Sequence, residues 1–169
     1  MQTLHWSEAL SLELPAMDDT HHEFVDLLGV VEASDDAHLL QHWATLVDHT
    51  DAHFAQEDNW MTQTGFHASN CHSTQHKVVL QVMREGLQRG QDGDLAMVRQ
   101  MATELASWFP QHAAAMDAAL ALHLRGVGYD PATGTVHMPQ ALPREVIHGC
   151  GGSTCSEPAT AETATAQPA

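Results

Sequence analysis

Basic side chains are what this chain has least of. Only six of its 169 residues are Lys or Arg (Lys77, Arg84, Arg89, Arg99, Arg125 and Arg144), against 22 acidic ones, for a formal charge of −16 with histidine neutral. Such a surface repels phosphate backbones and anionic lipid, so neither nucleic acid nor a membrane is expected as a partner. Long apolar runs are missing as well. Nothing approaches the roughly 20 residues of a membrane span, and the opening Met-Gln-Thr-Leu-His-Trp lacks the basic and apolar regions of a signal peptide. A cytoplasmic address is expected. Cysteine is scarce and odd in number: Cys71, Cys150 and Cys155 offer neither a disulfide framework nor a Cys-x-x-Cys pair, which argues against a zinc ribbon or a thioredoxin-type site. No internal repeat recurs at a fixed period, and the length suits one ordinary domain. A monomer is expected.

What the chain does have is histidine, 14 residues of it, set within amphipathic runs. Residues 1–16, with Trp6, Leu10, Leu12, Leu14 and Pro15, alternate apolar and polar and predict an extended arm packing across the end of a bundle. Apolar residues at helical spacing predict a helix from Met17 to about Val31. Ser34-Asp35-Asp36 offers an N-cap for a second helix running to Gly65. Ser69 or Asn70 caps a third, which stops near Gly90. A fourth runs from Leu95 to about Leu124 and is closed by Gly126. Four amphipathic helices joined by short polar loops predict an all-α, up-down-up-down antiparallel four-helix bundle with an extended N-terminal arm and a C-terminal extension. The bundle is assigned to residues 1–126. Residues 127–149 are expected to form a wrapping segment or a small hairpin, and 150–169, rich in Gly, Ser, Thr, Ala and Pro, a disordered tail. Chain beyond Arg125 is expected to add little to the core, so truncation there or near Asp130 should leave metal binding intact.

Each helix carries candidate ligands. His21 lies on the first, and His53-Phe-Ala-Gln-Glu57 places an imidazole and a carboxylate on one face of the second, because residues four apart share a helical face. His72-Ser-Thr-Gln-His76 repeats that spacing with two imidazoles on the third. On the fourth, His112 and Asp117 are five apart, about 140° around an ideal helix. Either a widened, π-like turn near Pro110 brings them together or Asp117 reaches sideways. A single histidine on a half-buried helix is usually a satisfied polar group, and His38/His42 and His49/His53 show how cheaply the four-residue spacing arises. Concurrence over four helices is what lifts the metal reading. Five imidazoles and two carboxylates are too many for one tetrahedral zinc but suit two iron atoms bridged by the carboxylates. Other metal motifs fail, since His22-Glu-Phe-Val-Asp26 is not His-Glu-x-x-His and the only Glu-x-x-His is Glu145-Val-Ile-His148, outside the bundle.

In this order the ligand pattern resembles the hemerythrin family, and in particular its single-domain bacterial branch. Trp6-Ser-Glu-Ala-Leu-Ser-Leu followed by Met17-Asp-Asp-Thr-His21 looks like the family's amino-terminal arm. Met61 and Trp108 look like its flanking apolar positions. The resemblance covers roughly residues 4–125. It implies that His72, His76 and His112 bind one iron, that His21 and His53 bind the other, and that Glu57, Asp117 and an oxo or hydroxo group bridge the two ions (Fe2+/Fe3+). The second iron is then one ligand short, and dioxygen is the implied partner at that open position. Reversible oxygen binding by a carrier, store or supplier, rather than an enzyme, is the implied function. The alternatives are a di-iron enzyme acting on peroxide or nitric oxide, and an oxygen- or iron-sensing module. At least one of Ala113, Ala114 and Ala115 is expected to wall the open site, with Ala114 and Ala115 the positions where a leucine would narrow it. His49 stands where the family often has an aromatic residue. Cys71 is expected to be a packed thiol, and His148, Cys150 and Cys155 could hold a metal or form a disulfide.

Overall fold

The computed structural model describes residues 4–150. Helices α1 (Pro15–Ala33), α2 (Leu39–Gln63), α3 (Cys71–Gln91) and α4 (Leu95–His112) are followed without a break by a π turn (Ala113–Asp117) and α5 (Ala118–Gly126). The last three form one rod, because His112, Ala113, Asp117 and Ala118 all keep right-handed helical dihedrals. Each helix packs on its neighbour in sequence and α1 closes against α4, giving the four-helix bundle.

The starts of the helices follow from local chemistry. Pro15 opens α1, where its missing amide donor costs nothing, and the Asp18 carboxylate accepts from the Ser11 hydroxyl and the Leu12 amide. Asn70 caps α3 by accepting from the Ser73 amide at 3.0 Å, and Asp94 caps α4 by accepting from Met97 at 3.1 Å. The second helix departs from expectation. Ser34 belongs to the end of α1, its hydroxyl donating to the Val30 carbonyl, while Asp35 accepts from the His38 amide in a separate turn. Residues 34–36 therefore close one helix and turn the chain, and α2 begins only at Leu39.

Two apolar clusters fill the bundle. One holds Phe24, Leu28, Trp43, Leu46, Met83 and Phe109; the other holds Met17, Trp60, Met61, Phe66, Leu120 and Leu124. The arm touches both. Leu4, Trp6 and Leu10 pack on the first and Leu12 and Leu14 on the second, so it runs along the bundle and is not confined to its end. Among its described residues before Pro15, the regular element is a short 3-10 turn, Glu8–Leu10.

After α5 the chain makes a small antiparallel hairpin, β1 (Tyr129–Asp130) with β2 (Thr135–Val136), and then returns so that Ile147 pairs with the backbone of Gly65 and His67. Val127 and Tyr129 are buried in the second cluster, with Val136, Leu142 and Ile147 packed against it. The expectation that chain beyond Arg125 adds little to the core therefore fails, since a cut there would strip one end of the bundle. The expected disorder of 151–169 lies outside the described residues. No described helix is long and apolar enough to cross a membrane.

Close packing of α3 yields a stability prediction. A methyl group on Gly90 would lie 2.3 Å from Leu40 Cδ2 and 2.9 Å from Val98 Cγ2, whereas one on Gly86 would meet chiefly the flexible Met101 sulfur at 2.3 Å. Val98 is β-branched and stiff, and the thioether can swing aside. Gly90→Ala is expected to destabilise the fold by about 1–3 kcal/mol through overpacking, and Gly86→Ala by less, as urea unfolding would measure. Equal effects would show that α2 and α4 yield freely at Gly90.

Candidate metal centre

Between the two apolar clusters lies a polar layer to which every helix contributes. His21 sits between Met17 and Phe24 on α1, while His53 and Glu57 precede Trp60 on α2. His72 and His76 lie one turn and more before Leu80 on α3, and His112 and Asp117 lie between Phe109 and Leu120 on the fourth rod. All seven side chains are buried, and all seven are brought together. One ligand atom from each of Glu57, His72, His76, His112 and Asp117 lies within 4.8 Å of the others, and the same holds for His21, His53 and Glu57.

The widened turn explains how residues five apart converge. The Ala118 amide donates to the Ala113 carbonyl, an i to i+5 bond, and His112 Nε2 comes within 3.1 Å of Asp117 Oδ1. Of the two ways for this pair to meet, the structure adopts the π turn. The turn throws Ala114 and Ala115 onto the exposed surface and leaves only Ala113 buried. Neither Ala114 nor Ala115 walls the site, which corrects the expectation for those two positions.

The two carboxylates divide their oxygens between two sets of imidazoles. Glu57 Oε1 lies 3.1 Å from His53 Nε2 and 3.6 Å from His21 Nε2, while its Oε2 lies 3.5 Å from both His72 and His76. Asp117 repeats the division, with Oδ2 at 3.3 Å from His21 and Oδ1 at 2.9 Å from His72 and 3.1 Å from His112. His112 Nε2 also lies 3.2 Å from His72 Nε2 and 3.3 Å from His76 Nε2. Nitrogens this close have converging lone pairs, and shared protons cannot serve all of them at once. Both Asp117 oxygens, Glu57 Oε2 and His21 Nε2 are buried without a hydrogen-bond partner among the described residues. Orphaned buried acceptors of this kind call for an ion, and cations in the two nests would satisfy every one of them. The donor set fits a pair of metal ions.

Behind the imidazoles stand groups that the ligand spacing did not single out. His76 Nδ1 is 2.9 Å from Asp58 Oδ1, and His112 Nδ1 is 2.5 Å from Gln75 Oε1. Their only signal in the sequence is that each is a polar residue next to a ligand. Phe54 stacks on His76 with ring centroids 4.0 Å apart, and Trp108 stacks on His112 at 4.5 Å. His49 reaches the Thr20 carbonyl through Nε2 and approaches Glu23 with Nδ1, beside the His53 ring. His22 turns outward to stack on Trp6. Cys71 is exposed at the start of α3 and not packed as expected, and Cys150 is buried. His148 stacks on His67, and the sequence's suggestion for Cys155 lies outside the described residues.

Residues 13–122 match the family model described as the hemerythrin HHE cation binding domain. The chain belongs to the hemerythrin family. It is 38% identical over 130 residues to a bacteriohemerythrin of Ralstonia nicotianae (strain ATCC BAA-1114 / GMI1000), an alignment that covers 77% of this chain and 95% of that relative. No solved structure matches it. The hemerythrin match spans all seven buried side chains, from His21 to Asp117.

Electrostatics in this hemerythrin centre set a pH dependence for the metal-free fold. Burial lowers the His21 pKa, but the close-lying Asp117 and Glu57 carboxylates overcome that and raise it from 6.5 to about 9. Burial raises both carboxylates, yet Asp117 is held well below its ordinary value by the imidazoles of His112, His21 and His72 beside it. In Glu57 burial and the Asp117 charge are likewise outweighed, by His53 and His21. A raised histidine stabilises the fold fully below pH 6.5, and the gain is lost as pH climbs through about 9. The lowered carboxylates stabilise it above their ordinary values, with loss only as pH falls through their depressed ones. The melting temperature of chelator-stripped protein is therefore expected to fall between pH 6.5 and about 9, and to fall less in His21→Gln. A flat profile in the parent would show that His21 carries no proton there.

Proposed function

We propose that this chain binds dioxygen reversibly at a non-heme di-iron centre and serves as a carrier, store or supplier. The observation that carries the reading is the division of each carboxylate: Glu57 turns one oxygen to His21 and His53 and the other to His72 and His76, and Asp117 turns one to His21 and the other to His72 and His112. That is the arrangement two bridging carboxylates require, and imidazole with carboxylate is a donor set that suits iron in both of its common oxidation states. His72, His76 and His112 would hold one ion, His21 and His53 the other, and Glu57 with Asp117 would span both. With two histidines against three, the second ion would keep a coordination position for a small ligand. Iron held here would supply the electrons and the coordination site that oxygen binding needs.

The protein's own part is to shape and dry the site. Phe54 lies against His53 and His76 and Phe109 against His21, all buried, and excluding water protects a reactive bound species from side reactions. Asp58 and Gln75 take the outward protons of His76 and His112, so that each Nε2 lone pair faces inward. Binding and not turnover is the proposed role.

Purified protein is expected to contain about two irons per chain, since seven donors in two nests match a bridged pair, and His76→Ala should lose metal. Mixing the reduced protein with oxygen in a stopped-flow instrument and then applying vacuum should give a colour that appears and fades reversibly. Irreversible oxidation would favour an enzyme acting on peroxide or nitric oxide, or a sensing module, and a single zinc per chain would end the di-iron reading.

A further inference from the structure

The imidazoles of the centre are not held alike, and the difference falls between its two halves. In the set of three, His76 Nδ1 faces Asp58 Oδ1 at 2.9 Å and His112 Nδ1 faces Gln75 Oε1 at 2.5 Å. A carboxylate and an amide oxygen only accept, so each ring donates its Nδ1 proton outward and turns its Nε2 lone pair to the centre. Both rings are also clamped face to face, His76 by Phe54 at an interplanar angle of 4° and His112 by Trp108 at 28°. The set of two has neither support. Nδ1 of His21 and Nδ1 of His53 have no hydrogen-bond partner among the described residues. Their aromatic neighbours meet them edge-on or tilted, Phe109 at 88° to His21 and Phe54 at 49° to His53. His72 Nδ1 is also without a partner, so the contrast is two supported rings of three against none of two.

An outward acceptor fixes an imidazole's orientation and raises its basicity, and its loss typically costs about 10–100-fold in metal affinity. We propose that Asp58 and Gln75 make the centre unequal. Metal held by His72, His76 and His112 is retained, while metal between His21 and His53 enters last, leaves first and is exchangeable for another divalent first-row ion. Asp58 and Gln75 act as positioning residues through the rings they orient. The inference rests on the metal-pair reading, because it concerns the order in which two ions occupy the nests. Its consequence is that the chain can carry an unlike pair, iron in one half and an ion such as cobalt or zinc in the other.

The test uses full-length, iron-loaded protein in its reduced form, challenged anaerobically with excess chelator while released iron is followed by absorbance. Two phases of equal amplitude are expected, one iron leaving in each. Protein arrested between the phases and back-filled with Co2+ should show, by X-ray absorption at the iron edge, an iron ligated by three imidazoles. Asp58→Ala and Gln75→Ala should each speed the slow phase by about 10–100-fold and leave the fast phase unchanged. Asp58→Asn, which keeps an acceptor oxygen, should restore most of the slow rate, and circular dichroism confirms that each variant is folded. A single phase in the parent would overturn the inference, as would a slow phase that neither alanine variant moves or a retained iron with two imidazoles. Starting protein with one metal per chain would overturn the metal-pair reading itself, which separates the two failures.

Discussion

The burial of two carboxylates in the middle of an apolar bundle is the constraint to which the rest of the structure answers. Glu57 and Asp117 have no contact with solvent to speak of, and an unpaired ion so placed costs several kcal/mol. Their remedy is a ring of imidazoles drawn from all sides, which one helix, lying on one side of the carboxylates, does not provide. All four rods are therefore committed to the same layer. The apolar clusters above and below it keep water out, and the arm that runs along the bundle with side chains in both clusters fastens one to the other.

Much of this is legible in the residues because helix and ligand share one period. An apolar stripe at helical spacing and a His-x-x-x-Glu or His-x-x-x-His pair are two readings of the same face, so the helices and the layer could be found together. The cap at Asn70 was legible for the same local reason, a short polar side chain facing an unpaired amide, whereas the Asp94 cap emerges only in the structure. Ser34-Asp35-Asp36 misled because capping residues also close helices and make turns, and which task they take depends on where the neighbouring helix must start.

Other features depend on contacts that no local pattern announces. The segment after Gly126 has no helical period, yet Val127 and Tyr129 are buried in the second cluster with Trp60 and Leu120. Asp58 and Gln75 differ in nothing local from exposed polar residues, and only the three-dimensional placement of His76 and His112 gives them partners. Ala114 and Ala115 were placed among the candidate wall residues by the family resemblance, and in the π turn both face outward. In each instance the missing knowledge is a relation between elements.

The π turn itself bears on how this helix could have changed length over time. It closes one turn with five residues, Ala113 to Asp117, where a regular helix uses about four, and α5 continues beyond it with Leu120, Ala121 and Leu124 still facing the core. A residue gained or lost within a regular helix ordinarily rotates everything downstream by about 100°. Here the additional residue is absorbed as an outward loop of two alanines, so the helix beyond stays in step with the bundle. The stretch between His112 and Asp117 is thus a place where insertion is silent for the fold but not for the layer, because it alone sets how far the carboxylate stands from its histidine.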